Sequence, residues 1–185
     1  RGDVAGVKEA HQAGADLTAE DPDTRRCPLH WAAEGGHFEL VEFLIGQRVP
    51  LDQPNTADES VESVADRRSG MTALHFAVNR SHVKVARLLV ANGADVSLTT
   101  YFGQTALHLA CANGSAALAQ LFIDHGATLD SCDSSGDTPL HHALARGHQD
   151  VTVLLCVPLQ VAKKAASIDL QNKIGNRPLD LALAD

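Results

Sequence analysis

The feature that most constrains this chain is a repeat. Thr105-Ala106-Leu107-His108 returns as Thr72-Ala73-Leu74-His75 and as Thr138-Pro139-Leu140-His141, and the three leucines stand 33 residues apart. Cys27-Pro28-Leu29-His30 and Arg177-Pro178-Leu179-Asp180 are looser copies. A fixed period of this kind means that each copy is one small unit unable to bury its apolar face alone, so that neighbours must stack. The 185 residues are therefore read as one elongated domain with a core running from unit to unit.

Each copy reads as two short helices and a turn. Thr138 suits an N-cap, since its hydroxyl can accept from the free amides of the first turn. Pro139 then fits the first helical position, where a missing N–H costs nothing. Leu140, Ala143 and Leu144 lie on one helical face. Gly147 permits a tight turn, and a second helix from about Asp150 carries Val151, Leu154 and Leu155. In the preceding copy the second helix ends at Gly126, where glycine tolerates a left-handed conformation.

These residues carry a resemblance. Gly-x-Thr-Pro-Leu-His-x-Ala, then Gly-His, then Leu-Leu, then Gly-Ala-Asp resembles the ankyrin repeat, over essentially the whole chain. The resemblance implies an all-α class, an α-solenoid with β-hairpin fingers. It also implies a structural role for the Thr–His pair and protein partners on the concave surface of hairpins and first helices. The expected units are a half-repeat at 1–23, repeats at about 24–68, 69–101, 102–134 and 135–172, and a half-repeat at 173–185.

Departures from the period locate insertions. Leu29 and Leu74 are 45 residues apart, twelve too many, and the polar stretch 53–68 accounts for them as an enlarged hairpin loop. Leu140 and Leu179 are 39 apart, six too many, which places a second insertion at 157–167. In the first full unit Arg25 replaces the expected glycine and Cys27 the expected threonine, so that its finger and cap are less ideal. Both ends are half-units, and a stack needs its terminal faces covered. The sequence thus reads as a fragment of a longer protein, or as one with irregular ends.

Composition narrows the function. A net charge of −8 disfavours nucleic acid as a partner. No apolar run approaches the roughly 20 residues that span a bilayer, so no membrane insertion is expected. Cys27, Cys111, Cys132 and Cys156 lack paired spacing and read as reduced thiols of a cytoplasmic protein, the nucleus being the other compartment considered. A monomer is expected.

Ten histidines invite a metal or catalytic reading. His30, His75, His108 and His141 recur at one position, however, and packed helices lie about 8–10 Å apart while zinc needs ligands at roughly 2 Å. No nucleophile elbow, phosphate loop or zinc-protease helix is found. No catalytic residue, metal site or cofactor is assigned.

The informative positions are those the repeat does not dictate. Two residues after each repeat leucine stands a first-helix position that, by the resemblance, faces the concave side; it holds Trp31, Phe76, Leu109, His142 and Leu181. A finger adds Tyr101 and Phe102. Four of the seven aromatics fall in this set, and aromatic anchors with polar flanks are typical of binding hot spots. The flanks are Arg26, Glu34, Asn79, Arg80, Gln104, Asn113, Asp133, Asp137 and Arg146. Two readings of the row stay open, a docking groove and plain helix packing. The function expected is a non-catalytic protein-interaction module or adaptor. The alternative is the ankyrin targeting domain of a larger enzyme, such as a kinase, an acyltransferase or a ubiquitin ligase.

Overall fold

The structure is a computed structural model and describes residues 2–55, 70–157 and 165–182. Most of both expected insertions, residues 56–69 and 158–164, lies outside the described residues. The chain divides into two compact units, Arg1–Asp95 and Val96–Asp185.

The first unit contains α1 (Val4–Gln12), α2 (Pro28–Glu34), α3 (Phe38–Gly46), α4 (Ala73–Asn79) and α5 (Val83–Ala91). The helices form two layers: α2 packs on α4, while α1 packs on α3 and α3 on α5; α2–α3 and α4–α5 join the layers. The second unit contains α6 (Ala106–Ala112), α7 (Ala116–Asp124), α8 (Pro139–Ala145), α9 (Gln149–Cys156) and α10 (Pro178–Ala182). There α6, α8 and α10 form one layer and α7 and α9 the other. Both units are all-α repeat stacks.

The repeat leucines hold the layers together. Leu29, Leu74, Leu107 and Leu140 are fully buried, as are Leu44, Leu89, Leu118 and Leu155 of the second helices. Each such burial contributes roughly 2 kcal/mol. Ala77, Ala110 and Ala143, also buried, keep the first helices close.

A Thr–His pair caps the start of α4, α6 and α8. The Thr72, Thr105 and Thr138 amides donate to Nδ1 of His75, His108 and His141 at 3.1–3.2 Å. Nδ1 is thus an acceptor and the ring proton sits on Nε2. From there His108 donates to the Asp137 carbonyl and His141 to that of Asn176, tying one repeat to the next. Cys27 keeps the arrangement despite its thiol: its amide donates to His30 Nδ1 at 3.1 Å, and its Sγ lies 3.3 Å from the same nitrogen.

The fingers are tight turns. Among the described residues no strand forms, and one isolated antiparallel bridge joins Thr99 and Thr105; the arms are too short for a ladder. A side-chain oxygen locks each turn. Asp133 Oδ1 accepts from the Ser135 and Asp137 amides, and Asn172 Oδ1 from those of Ile174 and Asn176. Asp21 and Thr100 act in the same way. In the first long repeat the partner is displaced along the sequence: Asn55 Oδ1 accepts from the Met71 amide at 2.7 Å, and the Asn55 amide donates back to the Met71 carbonyl at 2.9 Å. The neck of this finger is therefore closed between Asn55 and Met71. This is why α2 and α4 can pack directly on each other across the longer spacing.

Candidate partner-binding site

The residues singled out by sequence divide between the units. Arg26, Trp31, Phe76 and Arg80 lie in the first. Tyr101, Phe102, Gln104, Leu109, Asn113, His142 and Arg146 lie in the second.

In the first unit they form one connected cluster. Trp31 on α2 is 46% exposed, whereas Phe76, at the equivalent place on α4, is 0% exposed. Between them lies Arg26, itself buried, with its guanidinium 4.8 Å from the Trp31 ring and 4.4 Å from the Phe76 ring. The His30 ring meets Phe76 edge-on at 5.4 Å. Phe76 is thus a core residue, and the expectation that it lies on a docking surface is corrected. The cause is tertiary: Arg26 folds over it from the preceding finger. Arg26 is likewise buried and acts as a support for Trp31.

Glu34, at the end of α2, holds the cluster together. Its Oε2 accepts from Arg26 Nη1 at 2.7 Å, and its Oε1 from Arg80 Nη2 at 2.9 Å and Nε at 3.3 Å. One carboxylate thereby compensates a buried guanidinium and fixes a half-exposed one. Beside it runs a groove of about 610 Å³ whose walls include Val7, Pro28, Trp31, Leu40 and Arg80. Such a volume suits a few side chains. Val7 and Leu40 had no signal in sequence, because α1 and α3 reach this wall only by folding.

In the second unit the expected residues serve different ends. Tyr101 stands exposed at a finger, next to half-buried Phe102, whose carbonyl accepts from the Ser134 amide. Leu109 and Gln104 are half-buried and Asn113 is exposed. His142 is engaged: its Nε2 lies 2.9 Å from Asp133 Oδ2, and its ring meets His108 edge-on at 5.6 Å. Burial pulls the Asp133 carboxyl upward, yet the bonds from His142 and from the Asp137 and Ser135 amides outweigh it and hold the carboxyl below its ordinary range. Arg146 Nη1 donates to the Ala112 carbonyl at 3.2 Å, and His148 Nε2 bonds to the same oxygen. His142 and Arg146 are therefore tied to the repeat framework.

Asp133, Asp137 and His142 also bring three metal-competent atoms within 4.8 Å of one another. Hydrogen bonds account for the grouping, since Asp133 accepts from His142 and Asp137 from Asn172 Nδ2. Two buried histidines stay neutral at neutral pH: burial and the neighbouring His142 push His108 down to about 4, and burial also lowers His30. Among the described residues no helix is long and apolar enough to cross a membrane.

Comparison with known proteins gives the same picture. A family model described as ankyrin repeats (3 copies) matches residues 1–100 and 92–172. The chain is 32% identical over 92 residues to the ankyrin repeat and KH domain-containing protein mask-1 of Caenorhabditis elegans, a match covering 50% of the chain and 3% of that protein. It is 34% identical over 91 residues to palmitoyltransferase ZDHHC13 of Mus musculus, covering 49% and 13%. It is also 31% identical over 122 residues to the probable 26S proteasome regulatory subunit p28 of Saccharomyces cerevisiae, covering 52% and 54%. Each match thus spans about half of the chain and, for the first two, a small part of the relative. With the recurring Thr–His caps, the two helix layers and the finger turns on the page, the chain belongs to the ankyrin repeat family.

Proposed function

We propose that this chain is a non-catalytic protein-interaction module that seats a segment of a protein partner against the groove beside Trp31. One observation carries the reading. Trp31 is half-exposed yet held rigidly from behind by Arg26, which Glu34 fixes in turn. A pre-positioned aromatic loses little entropy on binding, and tryptophan is enriched among interface anchors. Ankyrin repeats in general act by binding proteins and are generally non-catalytic. In the second unit, exposed Tyr101 and half-buried Phe102 are a separate candidate contact. A monomer acting in the cytoplasm or nucleus, without nucleic acid, fits the net charge of −8 and the unpaired thiols.

The test compares capture of partners by the wild-type chain and by Trp31→Ala, with urea unfolding measured on both. Loss of capture at nearly unchanged stability supports the reading. Capture indifferent to Trp31→Ala refutes it.

A second reading is favoured by the comparisons: the chain serves as the targeting segment of a larger enzyme. One of the longer relatives is named a palmitoyltransferase, and the matched portion is 13% of it. The natural gene's full coding sequence decides between the two.

A further inference from the structure

The groove beside Trp31 carries a charge pattern that selects its occupant. Two guanidiniums, Arg26 and Arg80, share the single carboxylate of Glu34. Among the described residues of this cluster the balance is positive, in a chain whose net charge is −8. Arg26 is buried, so the excess is presented by Arg80, whose side chain is 48% exposed. Arg80 uses Nε and Nη2 on Glu34, and its other nitrogen, Nη1, stays on a half-exposed fork whose planar geometry suits a second carboxylate. His37 is the remaining titratable group on the groove wall. The carboxylate of Asp3, next to the wall residue Gly2, accepts from the Gly6 amide.

Trp31 adds a second restriction. A cation already sits over its ring, 4.8 Å away. A partner's lysine or arginine placed there would meet Arg26 at close range, and like charges repel. An uncharged apolar side chain can pack on the ring without that cost, and the wall is continued by Val7, Pro28, Ala32 and Leu40. Trp31 lies on α2 and Arg80 caps α4, and these helices pack directly on each other. Neighbouring helices stand about 8–10 Å apart, and an extended chain advances roughly 3.4 Å per residue.

We infer that the groove takes an extended protein segment with an aliphatic or proline side chain on Trp31. An Asp or Glu two or three residues away sits on Arg80. This inference rests on the Trp31 reading above and adds the chemistry of the partner.

The test uses the whole chain and a phage-displayed library of random 12-residue peptides. Trp31 is the single tryptophan, so intrinsic fluorescence reports directly on the groove. Selected peptides are expected to share an acidic residue two or three places from an aliphatic residue or proline, and to shift Trp31 emission on titration. Arg80→Gln weakens such a peptide about ten-fold, a loss of about 1.4 kcal/mol, and leaves the Asp→Asn peptide unaffected. Because the Gln variant also releases Glu34, Arg80→Lys and a salt titration of the wild type serve as parallel measurements, and both must weaken the acidic peptide. Peptides that shift Trp31 emission without an acidic residue, or whose affinity ignores Arg80 and salt, overturn this inference and leave the interaction module standing. No selected peptide, or none that moves Trp31 emission, overturns both.

Discussion

Among the described residues, three that are not glycine occupy the left-handed backbone region at places where the other repeats use glycine. Arg25 (φ 53°) takes the finger position held elsewhere by Gly103, Gly136 and Gly175. Arg48 (φ 61°) takes the end-of-helix position of Gly14, Gly93 and Gly126. Ser81 (φ 58°) takes the inter-helix turn position of Gly36, Gly114 and Gly147. Arg48 and Ser81 keep the hydrogen bond of the glycines they replace, donating their amides to the residue three earlier at 2.8 and 2.9 Å as Gly126 does at 3.0 Å, while the Arg25 amide donates to the Asp21 carbonyl, four earlier, at 2.7 Å. The backbone therefore imposes the conformation, and the side chain bears its cost. A left-handed residue with a Cβ costs about 1–2 kcal/mol, while glycine gives back roughly 0.4–1 kcal/mol through its freer unfolded chain. Each substitution to glycine is thus expected to stabilise by about 0.5–1 kcal/mol, and the triple variant by about 2 kcal/mol if the sites are independent. Arg25→Gly also removes a 3.4 Å ion pair with Glu20, but Arg25 is exposed and such pairs contribute at most a few tenths. The reverse change isolates the same quantity. A Cβ at Gly126 would meet nothing within 4 Å, so Gly126→Ala is expected to destabilise by about 1 kcal/mol through the backbone alone. Urea unfolding of the three single variants, the triple variant and Gly126→Ala reads all of this. If the glycine variants are neutral or destabilising while Gly126→Ala costs nothing, the conformational reasoning is wrong.

Phe76→Ala is expected to cost about 3–5 kcal/mol as a buried aromatic, against less than about 1 kcal/mol for half-exposed Trp31→Ala; equal losses in urea unfolding would contradict the division between core and surface. His108 is held neutral by the fold at about 4, below the unfolded value of roughly 6.5. Above pH 6.5 it has no effect on stability; as pH falls toward 4 the unfolded chain takes up a proton that the folded chain refuses, removing about 3 kcal/mol. An NMR titration placing His108 near 6.5 would refute this. Gly136→Ala should destabilise more than Gly126→Ala, because its Cβ would lie 2.9 Å from the Lys173 backbone nitrogen in addition to the left-handed φ; equal losses for the two would show that the neighbouring finger yields. Cys27→Thr should stabilise by about 0.5–1 kcal/mol by supplying a true hydroxyl cap, as judged by thermal unfolding.

Much of the fold was legible in the residues themselves. Thr138 as cap, Pro139 as first helical residue, Leu140 as core and Gly126 as helix stop are short-range statements. Their physics is completed within a few residues of chain, so a single sequence carries them, and the 33-residue period multiplies them along the molecule. The departures were legible too: Arg25 and Cys27 could be marked as irregular, though not as keeping the geometry of the residues they replace. The candidate site was legible only as a set of residue types. Equivalent positions gave Trp31 and Phe76 the same expected surroundings, and they ended on opposite sides of the surface because Arg26 covers one and supports the other. Asn55 finds Met71 across 16 residues, and Glu34 finds Arg80 across 46. Such pairings depend on which side chain of a neighbouring repeat reaches the same few ångströms. Local periodicity determines that repeats will stack, and only the stacked geometry decides which charges meet, which aromatic remains at the surface, and where a partner finds purchase.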